Sequence, residues 1–181
     1  MWWKDIYKKL ALISFVIRVI TPLLVFFYPV FAAIAVFWVD WHDVVFYKAL
    51  GFNRLKYDLF DKSLDLWWYT VSLIYAYFNF PFFQVLLILY VWRLLGQIIF
   101  FVNKKDWVLI FTPNIYEDLF LILLFMKFYP GFETFINDIG FLQVILGVSI
   151  FQVFREIFVH FLDRKFNERT QKYLPEWMHT L

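Results

Sequence analysis

Apolar residues come in long blocks along this chain, and the charged residues gather between the blocks. Within Trp2 to Leu10 the positions Trp2, Trp3, Ile6, Tyr7 and Leu10 recur at helical spacing, with Lys4, Lys8 and Lys9 on the other side. That pattern predicts an interfacial amphipathic helix over residues 1–9. The apolar run from Leu10 to Val39 is too long for one membrane span of about twenty residues. Pro22 and Tyr28-Pro29 interrupt it, and proline is well tolerated at a helix start, so two helices are expected, Leu10 to Phe27 and Pro29 to Tyr47. A polar, basic connection from Lys48 to Lys62 follows. Further spans are predicted at Ser63 to Phe80, Phe82 to Val102, Trp107 to Phe128 and Ile139 to Leu162. Residues 163–181 read as a charged tail, with Pro175 as a stop and Trp177 as an interface anchor. The expected fold is therefore all-α: a single polytopic membrane domain of six transmembrane helices across 10–162, preceded by the amphipathic segment.

Charge placement supports that count. With both termini on the cytoplasmic side, thirteen lysines and arginines fall on that face and only Lys127 on the other. Merging the first two spans would move Lys4, Lys8 and Lys9 to the opposite face. Met1 to Lys9 lacks the features of a removable signal peptide, so the first span is expected to act as an uncleaved anchor.

Composition narrows the chemistry. The chain has 181 residues, of which 63% are hydrophobic and 25% aromatic, too little polar surface to cover a water-soluble globule. It has no cysteine, which excludes disulfides and thiol chemistry. Five glycines leave no phosphate-cradling loop, and no P-loop, nucleophile elbow or zinc-protease motif occurs. The phenylalanines are spread over every span as packing and lipid-facing surface, which argues against nucleic-acid binding.

Five aspartates lie between Asp40 and Asp65, and intramembrane or near-membrane acids are functional candidates by default. Asp40 and Asp43 are three apart and Asp61 and Asp65 four apart, so each pair shares a helix face. Two such pairs on adjacent antiparallel helices form an oxygen-only donor set suited to a hard divalent cation, Mg²⁺ or Mn²⁺. Without counter-charge the four would repel, and most would have to take up protons. Three arginines, Arg18, Arg93 and Arg155, fall inside spans, and Arg18 and Arg155 sit at a depth of roughly 10–12 Å from the same leaflet that holds the acids. A polar cavity open to the cytoplasm accounts for both. Asp58 is read as a solvated acid near a helix start, His42 as an interfacial residue, and His160, Glu156 and Arg155 as a structural polar patch. Gln97, Gln143 and Gln152 are expected to hydrogen-bond between helices.

The spacing of Asp40, Asp43, Asp61 and Asp65 resembles the D-x-x-D-G-x-x-A-R-x8-G-x-x-x-D-x-x-x-D motif of the CDP-alcohol phosphatidyltransferase family, including the interval from Asp43 to Asp61. The chain departs from that motif at Val44 and Tyr57, which replace the glycines, at Tyr47, which replaces the alanine, and at Lys48, which replaces the arginine. The resemblance implies a cytoplasm-facing enzyme that moves a phosphatidyl-type group from a CDP-linked lipid onto an alcohol acceptor and releases CMP. It implies two Mg²⁺ or Mn²⁺ ions held by Asp40, Asp43, Asp61 and Asp65, with Asp65 also acting as the base, and pairing as a homodimer. Lys48, Arg18, Arg93 and Arg155 are candidate contacts for substrate phosphate. The competing expectations are a non-catalytic relative or scaffold of the same fold, favoured by the lost glycines, and a small divalent-cation transporter.

Overall fold

The computed structural model describes residues 2–49 and 53–158, which are helical apart from short turns, with no strand among them. The expected all-α class holds. The chain forms two compact units, one ending at Ser72 and one beginning at Leu73.

In the first unit, α1 runs unbroken from Trp2 to Ile20 and continues as a 3₁₀ stretch, Thr21–Phe26. The predicted amphipathic segment and first span are thus one rod. The change of helix type falls at Pro22, which has no N–H to give the preceding turn. In the tighter i→i+3 register that missing donor would have served Val19, and the indole of Trp67 supplies it instead, donating to the Val19 carbonyl at 3.0 Å. After a turn in which Tyr28 N–H bonds the Leu24 carbonyl, α2 begins at Pro29 and ends at Ala49. Helix α3 covers Arg54–Asn79, starting nine residues before the expected Ser63. The reason is local: Asn53 accepts the Lys56 backbone N–H on its side chain at 2.9 Å, a helix N-cap that lets the charged segment wind up.

The second unit takes over within α3 and adds α4 (Phe83–Asn103), a 3₁₀ turn at Asp106–Phe111, α5 (Ile115–Phe128), α6 (Pro130–Ile139) and α7 (Phe141–Ile157). Two expectations are corrected here. The span expected from Trp107 to Phe128 is broken by Pro113, which separates the 3₁₀ turn from α5. The connection expected before Ile139 is itself a helix, α6, opened by Pro130 and closed by Gly140 at φ +96°, a backbone state that suits glycine. Helices α6 and α7 meet there at 88°.

Among the described residues, two helices are long and apolar enough to cross a bilayer, Asp5–Phe26 with 22 residues and Phe83–Asn103 with 21, or three spans if the bent pair α6 and α7 counts as one. At about 1.5 Å per residue, twenty residues cover the roughly 30 Å of hydrocarbon. Exposed Leu12, Ile13, Leu23, Ile88, Val102 and Phe151 give these helices the apolar outer surface of a membrane protein. The tail 163–181, including Pro175 and Trp177, and His160 lie outside the described residues.

Candidate acidic centre

Three inward stripes build the site. On α1 the buried positions Ala11, Ser14 and Arg18 follow helical spacing, opposite exposed Leu12, Phe15, Val16 and Ile20. On α2 the stripe is Ala32, Val36, Asp40, Asp43 and Tyr47. On α3 it is Tyr57, Asp61, Asp65 and Trp68. The small residues Ala11, Ser14, Ala32 and Ala33 let α1 and α2 approach closely, and Tyr47 ties them, donating to the Ala11 carbonyl at 3.3 Å. Phe60 packs on Phe15 and Tyr47 and brings α3 against both, with ring centroids 5.7 and 4.9 Å apart.

The four aspartates converge, and they converge on Arg18. Its Nη1 donates to Asp43 Oδ2 at 2.7 Å and Asp61 Oδ1 at 2.7 Å. Its Nη2 donates to Asp65 Oδ1 at 2.8 Å and pairs with Asp40 Oδ1 at 2.6 Å. The guanidinium is sealed, with 2% of the side chain exposed, whereas Asp40 keeps 42% of its side chain open to the outside. The far oxygens are also claimed. Lys62 Nζ donates to Asp61 Oδ2 at 2.7 Å and Asp65 Oδ2 at 2.8 Å, and Tyr57 donates its hydroxyl to Asp43 Oδ1 at 2.7 Å. Asp43, Asp61 and Asp65 therefore have both oxygens bonded to fixed donors of the chain.

Electrostatics at the α3 end of the cluster follow from these contacts. Burial works against the charge on Asp61, but the ammonium of Lys62 and the guanidinium of Arg18, by charge and by hydrogen bond, outweigh it and hold the carboxyl below the usual carboxylate range. Burial first, then the charges of Asp61 and Asp43, holds the Tyr57 phenol protonated well above its usual range, so Tyr57 stays a donor.

A divalent cation has a donor set here. Asp40, Asp61 and Asp65 each offer one oxygen, and the three oxygens lie within 4.8 Å of one another. In an octahedral magnesium site with bonds of about 2.1 Å, neighbouring oxygens lie roughly 3.0 Å apart and opposite ones roughly 4.2 Å, so the three would have to draw together to share one ion. Each carboxylate oxygen carries two lone pairs, and one already bonded to Arg18 or Lys62 retains a second.

The other sequence-predicted residues have separate surroundings. The side chains of Lys48 and Val44 lie outside the described residues. Arg93 and Arg155 belong to the second unit. Arg93 donates from Nη1 to the Thr112 carbonyl at 2.6 Å and pairs with Glu156 at 3.3 Å, both ion-pair side chains being buried. Arg155 is half-buried on α7 and acts on the charge of Asp118. Gln152 donates to Asp118 across α7 and α5, the interhelical role expected of it. Gln97 is fully buried, and among the described residues neither atom of its amide has a hydrogen-bond partner. His42 is exposed and donates from Nδ1 to the Trp38 carbonyl at 2.7 Å. Asp58 is half-buried.

The chain matches no protein-family model, no curated protein and no solved structure. Its chemistry is therefore read from the cluster itself.

Sequence reasoning missed two members of this cluster. Tyr57 counted as a bulky replacement and Lys62 as a loop cation. The signal was present in both cases. Tyr57 precedes Asp61 by one helical turn and Lys62 precedes Asp65 by three residues, so both are neighbours of acids once α3 begins at Arg54.

Proposed function

We propose that this chain is a metal-dependent membrane transferase resembling the CDP-alcohol phosphatidyltransferases, moving a phosphatidyl-type group from a CDP-linked lipid to an alcohol acceptor and releasing CMP. The observation that carries the reading is the meeting of Asp40, Asp43, Asp61 and Asp65, from two helices and at that family's spacing, around one point. Four scattered acids would have removed its basis.

The roles are those the resemblance implies for these positions. Asp40, Asp61 and Asp65 would hold the Mg²⁺ or Mn²⁺ ion. Bound there, the ion would supply neutralising charge for the pyrophosphate of the donor. Asp65 accepts the proton of the acceptor hydroxyl as its oxygen bonds to phosphorus, and the bond from phosphorus to CMP breaks. Tyr57 and Arg18 fix Asp43, and Lys62 fixes Asp61 and Asp65, so the carboxylates keep their orientation as charge moves. Homodimer formation belongs to the same proposal.

The test is release of CMP by the purified full chain with Mg²⁺ or Mn²⁺, a CDP-linked lipid and a panel of alcohols. Asp65→Asn should lower the rate by at least about 100-fold, the usual scale of a lost general base. A second reading has its own support. Tyr57 stands where the motif has a glycine and bonds Asp43, and fixed cations already hold the acids, as in a non-catalytic relative kept for its fold. No CMP across the panel would select that reading.

We also propose six crossing segments with both termini cytoplasmic, supported by the thirteen-to-one distribution of basic residues. The chain has no cysteine, so single replacements report cleanly. Lys105→Cys and Lys127→Cys should react with a membrane-impermeant maleimide from opposite faces of sealed vesicles, and labelling from one face would end the six-span layout.

A further inference from the structure

We infer that α6 is an in-plane helix seated in the headgroup boundary of the leaflet on the Lys127 side, with a zwitterionic lipid surface as its partner, and is not the first half of a broken span. This placement rests on α7 crossing the membrane, part of the six-span layout proposed above, and goes beyond it in saying where the residues before that crossing lie.

The residues of α6 divide between two surroundings. Phe132, Phe135, Ile136 and Ile139 are spaced three and four apart and fall on one face, while Glu133, Thr134, Asn137 and Asp138 take the other. One edge of the apolar face is used inside the protein: Ile136 is buried, and Phe132 packs on Phe125 of α5 with ring centroids 6.0 Å apart. The other edge, Phe135 and Ile139, is exposed, and so are all four polar residues. Exposed apolar and exposed charged groups on opposite sides of one helix are both satisfied where hydrocarbon meets water.

Length and direction place α6 at that boundary. Helix α7 has 17 residues, about 25 Å at 1.5 Å per residue, and so nearly covers the hydrocarbon without help from α6. Its exposed stripe, Leu142, Leu146, Ile150 and Phe154, is wholly apolar. The chain turns through 88° at Gly140, so with α7 standing across the bilayer α6 runs along its plane. The same end of the second unit carries the aromatic residues of an interface: Tyr77, Phe78, Phe82 and Tyr129 are exposed, Phe82 stacks on Phe141 at 4.7 Å, and Lys127 at the end of α5 donates to Asn79 at 2.7 Å. Charge selects the lipid. The polar face of α6 holds Glu133 and Asp138 and no base, so it gains nothing from anionic headgroups and suits a neutral surface. Carried into hydrocarbon as part of a broken span, the same exposed carboxylates would be costly.

Because the chain has no cysteine, single nitroxide labels can be placed on the full chain in phosphatidylcholine vesicles. Phe135→Cys and Asp138→Cys probe the two faces of α6, Ile139→Cys and Glu133→Cys replace either one that does not fold, and Ile150→Cys marks α7. Collision with oxygen, set against collision with a water-soluble nickel chelate, reads the depth of each label. The label at 135 should favour oxygen at about 5–10 Å inside the boundary, and the label at 138 should favour nickel, reached from the same face of sealed vesicles as a label at Lys127→Cys. The label at 150 should lie deeper, at about 15 Å. Adding phosphatidylserine should leave the depth at 135 unchanged, and a deeper label would overturn the neutral-surface assignment. Both faces of α6 favouring oxygen, as in a broken span, or both favouring nickel, as in a solvated helix, would overturn the in-plane placement, while a deep label at 150 would leave the six-span layout standing. A label at 150 that meets nickel as freely as one in water removes α7 as a crossing and this inference with it.

Discussion

Among the described residues each unit of the molecule buries one arginine, and the two arginines are used in opposite ways. In the second unit Arg93 pairs with Glu156 and donates to the carbonyl of Thr112 next to Pro113. In the first unit Arg18 meets four carboxylates, and even with Lys62 the acids remain in excess. A balanced pair is explained by folding alone, since it ties helices together and satisfies a free carbonyl. An excess of buried acid is not, because it costs stability unless something else binds. The contrast is why a ligand-binding role is assigned to the first cluster and a structural one to the second.

The sharpest way to break that contrast is to cut the balanced pair. Arg93→Met or Glu156→Met alone breaks a buried ion pair and should cost about 3–5 kcal/mol, read as a lower denaturation midpoint in detergent. The double variant Arg93→Met with Glu156→Met removes both charges and should recover most of the loss. Failure of the double variant to recover would mean that Arg93 serves something beyond folding, and the structural assignment would fall.

The acid-rich cluster should respond in the other direction. Asp40→Asn removes one of the excess negative charges at the most open position, so metal-free stability should change by less than about 1 kcal/mol or rise. Asp61→Asn removes an acid held by both Arg18 and Lys62 and should cost about 2 kcal/mol more than Asp40→Asn under the same conditions. If Asp40→Asn were as damaging as breaking the Arg93 pair, the cluster would be balanced after all, and the case for a bound cation would weaken.

How much of this was legible beforehand differs between the two units for the same physical reason. The acidic face could be read because side chains three and four apart on a helix must point together, and Asp40, Asp43, Asp61 and Asp65 obey that rule on α2 and α3. The depth of Arg18 could be read from its distance along α1, but not that it would reach all four acids, since that depends on how closely Ala11 and Ser14 let α1 approach. The early start of α3 was hidden by its charge: Lys56, Asp58 and Lys62 look like a loop until Asn53 is seen capping them. In the second unit the pattern failed at prolines. Pro113 breaks a continuous apolar run that reads as one span, and Pro130 opens a helix where short polar residues suggested a connection.

The smallest expected effect concerns Gln97, and it separates packing from binding in the second unit. The residue lies one turn after Arg93 on α4, beside Gly96, where a Cβ would run into the Thr112 side chain. Gln97 is completely buried, and among the described residues neither amide atom has a partner. A buried amide in that state costs stability, about 1–3 kcal/mol before any bridging water is counted. Gln97→Leu keeps much of the volume and removes the polar atoms, so it should be neutral or should stabilise by up to about 1 kcal/mol. A loss of more than 1 kcal/mol would show that the amide holds ordered water or a polar ligand. The second unit would then contain a working polar site of its own, and the contrast between the two arginines would no longer mark where the chemistry lies.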